Sequence, residues 1–499
     1  DIPKEKYMKL KDILLNVPLK ENFKGNANLD ITDISFDSRK NFDSSQNAIF
    51  VCLRGENTDG HNFAKDAVNN GAKVVVCEHK LNVCKNEVVV ESTRKALSLM
   101  ASNFYSNPHK KMKMIAITGT NGKTTTTYML KSILESAGYK VGLVGTEGAY
   151  IGKQFVSVNL TTPDPMDLQK VLSEMVAFGC DYCVMEASAH SIFYEKIYGI
   201  NYDVSIFSNL TQDHLEFFKT MENYGNAKMK LFTKQYTKIA VTNLDNEWGM
   251  KIENGTLPTI SYALNNPADC FAVNINKTFF GSKFVLNLMD NVFECEINLP
   301  GKFNIYNALA ASSAAAALGI DCKYIAKGLR DLKGVSGRFN FLPLANGAYA
   351  VIDFAHTPDG IKNVLTAIKE LNPKRLITVF GCGGNRDKGK RPLMGEISEQ
   401  FSDFTIITSD NPRFENPELI IDDIERGMKS DKFVRIVDRS KAVEIAINLA
   451  RKGDIVALLG KGVEKYQDIN GVKVPYCDLD IAMQTNDKIS EILSKVEAK

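Results

Sequence analysis

Short β-branched runs alternating with helical segments across 499 residues place this chain in the α/β class, with three domains. Length argues the same way. One hydrophobic core does not grow to fill so long a chain, and at roughly 150 residues per domain about three are needed. The third observation is a glycine turn between a strand and a helix near residue 119, which marks the sheet of a central domain. The expected boundaries are 1–110, 111–335 and 336–499.

In the first domain the sequence predicts strands at 48–53 and 73–77 and a helix at 62–70. Residues 106–113, with Pro108 and four basic residues, read as a linker. A strand at 114–118 opens the central domain. Further strands at 182–185, 204–207 and 239–242 alternate with helices, as a mostly parallel sheet with crossover helices requires. A helix at 304–318 follows a less regular, strand-rich stretch, and a glycine-marked turn at 334–337 precedes the third domain. Its strands are expected at 350–353, 375–380, 404–408 and 455–459.

Composition removes several classes of function. Sixty-one Lys and Arg stand against 59 Asp and Glu, a net charge of +2, with 24% charged and 44% hydrophobic residues. This balance fits neither disorder nor a polybasic nucleic-acid surface, so no nucleic-acid partner is expected. The longest small or apolar run, 308–320, is interrupted by serines and falls short of the ~20 residues that span a bilayer, so no membrane insertion is expected. Residues 1–17 carry charges throughout and do not read as a secretory signal. Ten cysteines at no regular interval then suit reduced thiols and a cytoplasmic location. Cys180 and Cys183 have C-x-x-C spacing but no further ligands to complete a zinc shell, and read as two small buried side chains.

The sharpest local signal follows the strand at 114–118. Gly119, Thr120, Asn121, Gly122, Lys123, Thr124 and Thr125 form a turn that suits a polyphosphate. Glycines let backbone N–H groups converge on phosphate oxygens, the helix N-terminus adds roughly half a positive charge, and Lys123 can reach the β and γ phosphates. Thr124 would offer its hydroxyl to Mg²⁺. The general phosphate-loop pattern wants a glycine where this chain has Ile117, so a shorter loop does the turning. Glu186, at the end of its strand, is the expected carboxylate ligand of the cation, and His214, just after the next strand, could complete or orient a second cation site.

Taken together, Thr118-Gly-Thr-Asn-Gly-Lys-Thr-Thr125, the Glu186 strand, Asn209 to His214 and Tyr224-Gly-Asn-Ala-Lys228 resemble the Mur ligases, the ATP-dependent amide-forming enzymes of peptidoglycan precursor synthesis. Thr161-Thr-Pro163, Gly301-Lys-Phe-Asn304, Asp353-Phe-Ala-His-Thr-Pro-Asp359, residues 381–395 and Asp410-Asn-Pro-Arg413 look like the MurE branch, which adds the third residue of the stem peptide. The resemblance implies a small N-terminal α/β domain that grips the UDP-sugar, a central P-loop-type ATPase domain and a C-terminal Rossmann-like domain. It implies a cytoplasmic monomer that takes UDP-MurNAc-L-Ala-D-Glu, ATP and meso-diaminopimelate, with Mg²⁺ as cofactor. ATP phosphorylates the γ-carboxylate of D-Glu, and the amine then attacks the acyl phosphate.

Site residues carried over from the resemblance are specific. Lys123, His214 and Lys228 are implied in catalysis. Thr124, Glu186, His214 and Lys228 are implied around metal, with Lys228 as a carbamate, a modification that needs a neutral amine and reverses the side chain's charge. Beside the glycine turn, Asn304, Arg338, Asp353 and His356 would bind ATP. Ser38, Arg39, Thr161, Thr162, Ser188 and Lys196 would bind the UDP-sugar, with Lys196 where the family often has arginine. For diaminopimelate the resemblance implies Arg391, Asp410, Asn411, Pro412, Arg413, Gly460 and Glu464. The physical reason is that diaminopimelate carries a second carboxylate, which an arginine fork can bind with two parallel hydrogen bonds and which L-lysine lacks. The Gly460-Lys-Gly-Val-Glu464 segment has Val463 where histidine is usual.

Other readings stay open at this stage: a related ligase using L-lysine, lanthionine or another diamino acid, a folylpolyglutamate-synthase-like ligase, or a nucleotide switch that makes no bond. A dinucleotide oxidoreductase is weaker, because Arg386 stands where the third fingerprint glycine belongs after Gly381, Gly383 and Gly384.

Overall fold

The computed structural model describes residues 7–42, 47–56 and 58–497. It is a three-domain α/β fold with a large, mostly parallel central sheet. By internal packing the chain forms two compact units: residues 1–116, 139–205 and 227–238 in the first, residues 117–138, 206–226 and 239–499 in the second. The expected domain 1–110 thus lies in the first unit and 336–499 in the second, while 111–335 contributes to both.

The first unit contains a parallel sheet of Asp33–Ser35, Ala48–Val51, Val74–Cys77 and Glu87–Val89, in that order. Ala48–Val51 and Val74–Cys77 are buried along their whole length, as strands covered on both faces must be, which is why their sequence is a continuous apolar run. Helix Thr93–Phe104 packs Ala96, Leu97, Met100 and Phe104 into the same core as Ile49, Val51, Val74 and Val76. The stretch read as a linker carries a short 3₁₀ turn, Pro108–Lys110, in which Pro108 and His109 are buried. Its polar composition hid this, because the burial of His109 goes with a side-chain contact to Ser102 at 3.2 Å. The unit's part of the central sheet runs Gln154–Val156, Gly148–Ile151, Val141–Gly145, Tyr182–Glu186, antiparallel at its edge and parallel between the last two.

In the second unit, Thr259–Ala263 pairs in parallel with both neighbours before an antiparallel meander of Cys270–Thr278, Gly281–Leu288 and Asn291–Ile297. The C-terminal sheet orders Asn340–Pro343, Tyr349–Asp353, Ile455–Leu459, Leu376–Phe380, Phe404–Ile407 and Phe433–Arg435. All but the first pair in parallel. Because the strands are parallel, their carboxyl ends emerge along one edge, where ligands of open α/β sheets collect. That edge receives Asp353, the loops 381–389 and 408–416, and the segment 460–465. No described helix is long and apolar enough to cross a membrane.

Candidate active site

Strand Lys113–Thr118 runs into the glycine turn, and helix Lys123–Ser136 starts at once. Gly122 sits at φ +86°, and a β-carbon there would collide with Asn307 Oδ1; one on Gly119 would overlap Ser208 Oγ. The turn therefore exists only without side chains at both positions. It is fixed by Asn121 N donating to Asn209 Oδ1 at 2.9 Å, Thr120 Oγ1 to the Thr211 carbonyl at 3.1 Å, and Asn121 Nδ2 to Asp359 Oδ2 at 2.9 Å. Lys123 Nζ donates to the carbonyls of Gly119 and Thr120 at 2.9 and 2.8 Å, so its ammonium lies over the turn. Gly122 supplies no side-chain cap to the helix it precedes. The result is a glycine turn at a helix N-terminus with an ammonium bonded to it, an arrangement whose charge suits an anion.

Several predicted nucleotide residues surround that turn within the same unit. Arg338 Nη2 donates to Thr124 Oγ1 at 3.0 Å. Thr125 is buried in the first helical turn. Asp353 accepts from the backbone N–H groups of Phe339 and Ala355 at 2.8 and 2.7 Å, and burial raises its pKa against the pull of Arg338. His356 Nδ1 bonds the Phe354 carbonyl at 2.8 Å, and its Nε2 stands 3.7 Å from Asp213 Oδ2. Burial opposes ionisation of Asp213, but the buried Lys390 ammonium at 3.1 Å, with His356, holds its carboxyl well below the usual range. His214, at φ +57°, places Nε2 3.4 Å from Asp213 and its ring edge-on to Tyr224. Asn304 is committed to its own helix, donating to the Pro300 carbonyl at 2.7 Å and accepting from Asn307.

The first unit gathers a second set. Thr162 Oγ1 donates to the Glu186 carbonyl at 2.8 Å and accepts from Ser188 N at 3.1 Å, while Thr161 and Thr146 hydroxyls meet at 3.1 Å. Thr146 N and Oγ1 both donate to the fully buried Glu186 carboxylate, at 3.1 and 3.0 Å. One network therefore joins Thr161, Thr162, Ser188 and Glu186. Ser188 also caps helix Ala189–Phe193. Lys196 pairs with Asp164 at 2.7 Å, and the exposed Arg39 forks onto Asp37 at 2.9 Å through both Nε and Nη2, next to Ser38, whose carbonyl accepts from Asn70. Lys228, on helix Met221–Met229, is buried. Glu186 and Lys228 belong to the first unit, Thr124 and His214 to the second.

The loop after Phe404–Ile407 is held with equal care. Arg413 adopts φ +50°, its N donates to the Asp468 carbonyl at 2.9 Å, and its carbonyl accepts from Asn470 N at 2.8 Å. Arg413 Nη1 donates to the Gly384 carbonyl at 2.8 Å, and Nε stands 3.8 Å from Asp468 Oδ2. Asn411 bridges Glu464 and the fully buried Lys461: Asn411 Nδ2 donates to Glu464 Oε2 at 2.9 Å, and Lys461 Nζ donates to Asn411 Oδ1 and Glu464 Oε2 at 2.8 and 2.6 Å. Pro412 continues the loop, and Gly460 N donates to the Asp353 carbonyl at 3.0 Å. Arg391, also in the predicted set, is buried and bonded to Glu415 and Asp423.

Three family models match in sequence order: the Mur ligase family catalytic domain over residues 30–105, the Mur ligase middle domain over 117–315, and the Mur ligase glutamate ligase domain over 337–462. The UDP-N-acetylmuramoyl-L-alanyl-D-glutamate–2,6-diaminopimelate ligase 1 of Clostridium acetobutylicum is 44% identical over 96% of this chain and 99% of its own. The chain belongs to the Mur ligase family. A like-named ligase of Clostridium botulinum is 42% identical over 93% of this chain and 95% of its own. A solved structure of a UDP-N-acetylmuramoyl-L-alanyl-D-glutamate–2,6-diaminopimelate ligase is 31% identical, with a TM-score of 0.67 over 97% of this chain and 99% of that one. MurF of Acinetobacter baumannii, at 20% identity and TM-score 0.65 over 97% and 98%, shares the fold.

Two residues of this Mur ligase were not singled out by the sequence for the site. Arg386 stands close enough to Arg413 that, after burial, its charge is the next cause lowering the Arg413 pKa, so two guanidiniums share one neighbourhood. Lys461 carries a buried ammonium beside Asn411 and Glu464. Its signal was in the Gly460-Lys-Gly segment, but a lysine between glycines carries no periodicity that says whether it points inward. For Mg²⁺, the hard oxygens of Thr124 and Glu186 are the right donor type. Among the described residues no group of three or more His, Cys, Asp or Glu side chains could hold a metal. Thr124 and Glu186 each offer a hard oxygen within their own unit, and a magnesium ion that takes most of its shell from phosphates and water needs few protein donors.

Proposed function

We infer that this Mur ligase joins meso-diaminopimelate to the γ-carboxylate of D-Glu in UDP-MurNAc-L-Ala-D-Glu, at the expense of ATP, as a step of peptidoglycan precursor synthesis in the cytoplasm. The observation that carries the donor assignment is Arg413, pinned through its backbone beside Arg386 and next to the Asn411–Glu464 pair. Guanidiniums suit a carboxylate, the group at the far end of diaminopimelate that L-lysine lacks.

The chain's own residues account for the rest of the reaction. The glycine turn binds the triphosphate through backbone N–H groups, with Lys123 over the transferred phosphoryl and Arg338 beside Thr124. The Thr161, Thr162 and Ser188 network, with Ser38, Arg39 and Lys196, holds the UDP-sugar. A γ-carboxylate oxygen of D-Glu forms a bond to the γ-phosphorus as ADP leaves. The deprotonated amine of the donor then adds to the acyl carbon, and phosphate departs with the former carboxylate oxygen. No protein nucleophile is needed, so alignment supplies most of the acceleration. Magnesium would neutralise charge on the phosphate oxygens, with the Thr124 hydroxyl the hard-oxygen donor next to the glycine turn. Lys228, which is buried, is proposed as a carbamate, which would present a carboxylate in place of the ammonium. A Lys228→Ala variant should lose most activity and regain part of it with a short carboxylate added; full activity without rescue would remove the carbamate.

The direct test is a panel of amino acids incubated with ATP and the UDP-dipeptide, read by product mass and ADP release. Diaminopimelate should give the tripeptide, and omission of either cosubstrate should suppress ADP release. Equal incorporation of L-lysine would defeat the donor assignment, and ADP release without any donor would favour a nucleotide switch.

A further inference from the structure

Beneath the donor loop lies a buried charge cluster that the proposed reaction does not use. Arg439 opens helix Arg439–Leu449 and is almost fully buried. Its Nε and Nη2 clasp the Asp478 carboxylate at 2.9 and 2.7 Å, and Nη2 also donates to the Leu459 carbonyl at 2.9 Å. Asp478 begins the C-terminal helix Asp478–Glu497, and its Oδ1 accepts from the Tyr476 hydroxyl at 2.5 Å. One guanidinium nitrogen remains. Nη1 is buried with no hydrogen-bond partner among the described residues, and the nearest acid is Asp410, whose Oδ2, also buried and unbonded, lies 3.8 Å away.

Asp410 is the first residue of the loop that carries Asn411 and Arg413. Its Oδ1 accepts from Asn411 N at 2.6 Å and its carbonyl accepts from Gln467 Nε2 at 2.8 Å. A buried carboxylate with only one hydrogen bond stays ionised only if cations face it. Arg439 Nη1 stands 3.8 Å from Oδ2, and the Lys461 ammonium also acts on the carboxylate. Burial opposes ionisation of Asp410, yet these two cations, Lys461 foremost, together with the Asn411 N–H, keep its pKa lowered. The loop needs such support, because Arg413 adopts a left-handed backbone that a non-glycine residue holds only where its surroundings impose it.

We propose that Arg439 is a positioning residue for the amine-donor loop: anchored on Asp478, it holds the Asp410 carboxylate, and through it the backbone that aims Asn411 and Arg413 at the donor. The proposal rests on the donor assignment above and adds that selectivity depends on a guanidinium that never touches substrate. The test compares Arg439→Met, Arg439→Lys and Asp478→Asn with wild type, measuring kcat and KM for diaminopimelate, L-lysine and ATP alongside Tm. Arg439→Met should raise the KM for diaminopimelate tenfold or more, leave the KM for ATP within twofold, and lower the preference for diaminopimelate over lysine. Arg439→Lys should restore part of that preference. A purely structural role would lower Tm and active fraction while leaving the donor ratio and both KM values unchanged, and that result overturns the proposal. If Arg439→Met does not fold, Asp478→Asn carries the same comparison, with the same two outcomes. A wild type that fails to prefer diaminopimelate condemns the donor assignment instead, so the two failures are told apart.

Discussion

At the scale of single residues, the site is built by side chains whose hydrogen bonds leave few alternative orientations. Arg413 has Nη1 on the Gly384 carbonyl and both backbone groups tied to residues 468 and 470. Its guanidinium is therefore held in one orientation by the chain itself. Truncating a partner of a desolvated, hydrogen-bonded charge pair costs about 2–5 kcal/mol, so Arg413→Ala should lower kcat/KM for diaminopimelate on the order of 10²- to 10³-fold. Steady-state kinetics with each substrate varied checks this, and an unchanged donor KM would take Arg413 out of the site. The sequence placed the Arg413 loop at a strand's carboxyl end, where a ligand can sit, and the family resemblance implied its donor role. The family resemblance implied Arg391 and gave Arg386 no role in the site. The fold separates them: Arg391 lies in helix Lys390–Phe401 and is bonded to Glu415 and Asp423, whereas Arg386, in the irregular loop before that helix, has its charge near Arg413.

Elements were legible where one period dominates. The strands around residues 48, 74, 182, 376 and 455 stand within a residue or two of their expected places, because buried parallel strands are unbroken apolar runs. The turn at Pro108–Lys110 was not legible, since burial of a polar residue depends on a distant partner. That turn carries its own prediction. Burial, helped by the nearby Lys110, pushes the His109 pKa from 6.5 down to about 4, although Gln169 pulls the other way. Between those values the unfolded chain binds a proton that the folded chain refuses, so stability is fully present above pH 6.5 and drains away as pH falls toward 4. By pH 5 the loss from this one ring should be about 2 kcal/mol. Urea unfolding midpoints at pH 7.5 and 5.0 should therefore converge in His109→Gln relative to wild type. An equal pH response in the two proteins would show that the folded chain accepts the proton.

For the molecule as a whole, the residue sets proposed for nucleotide and for UDP-sugar fall in different units. The glycine turn, Lys123, Arg338 and Asp353 lie in the second unit, and the Thr161, Thr162 and Ser188 network lies in the first. Any ligand that binds only the folded state stabilises it by mass action, about 2.7 kcal/mol at one hundred times its Kd. A non-hydrolysable ATP analogue and the UDP-dipeptide should each raise the unfolding midpoint of the wild type. Lys123 places positive charge at the turn, where it donates to the carbonyls of Gly119 and Thr120. Lys123→Ala should therefore erase most of the increment from the ATP analogue while the increment from the UDP-dipeptide persists. Thermal melts with each ligand, on both proteins, separate the outcomes. If the nucleotide increment survives the substitution, the triphosphate is not held at this turn; if both increments vanish together, the variant has lost its fold rather than one ligand.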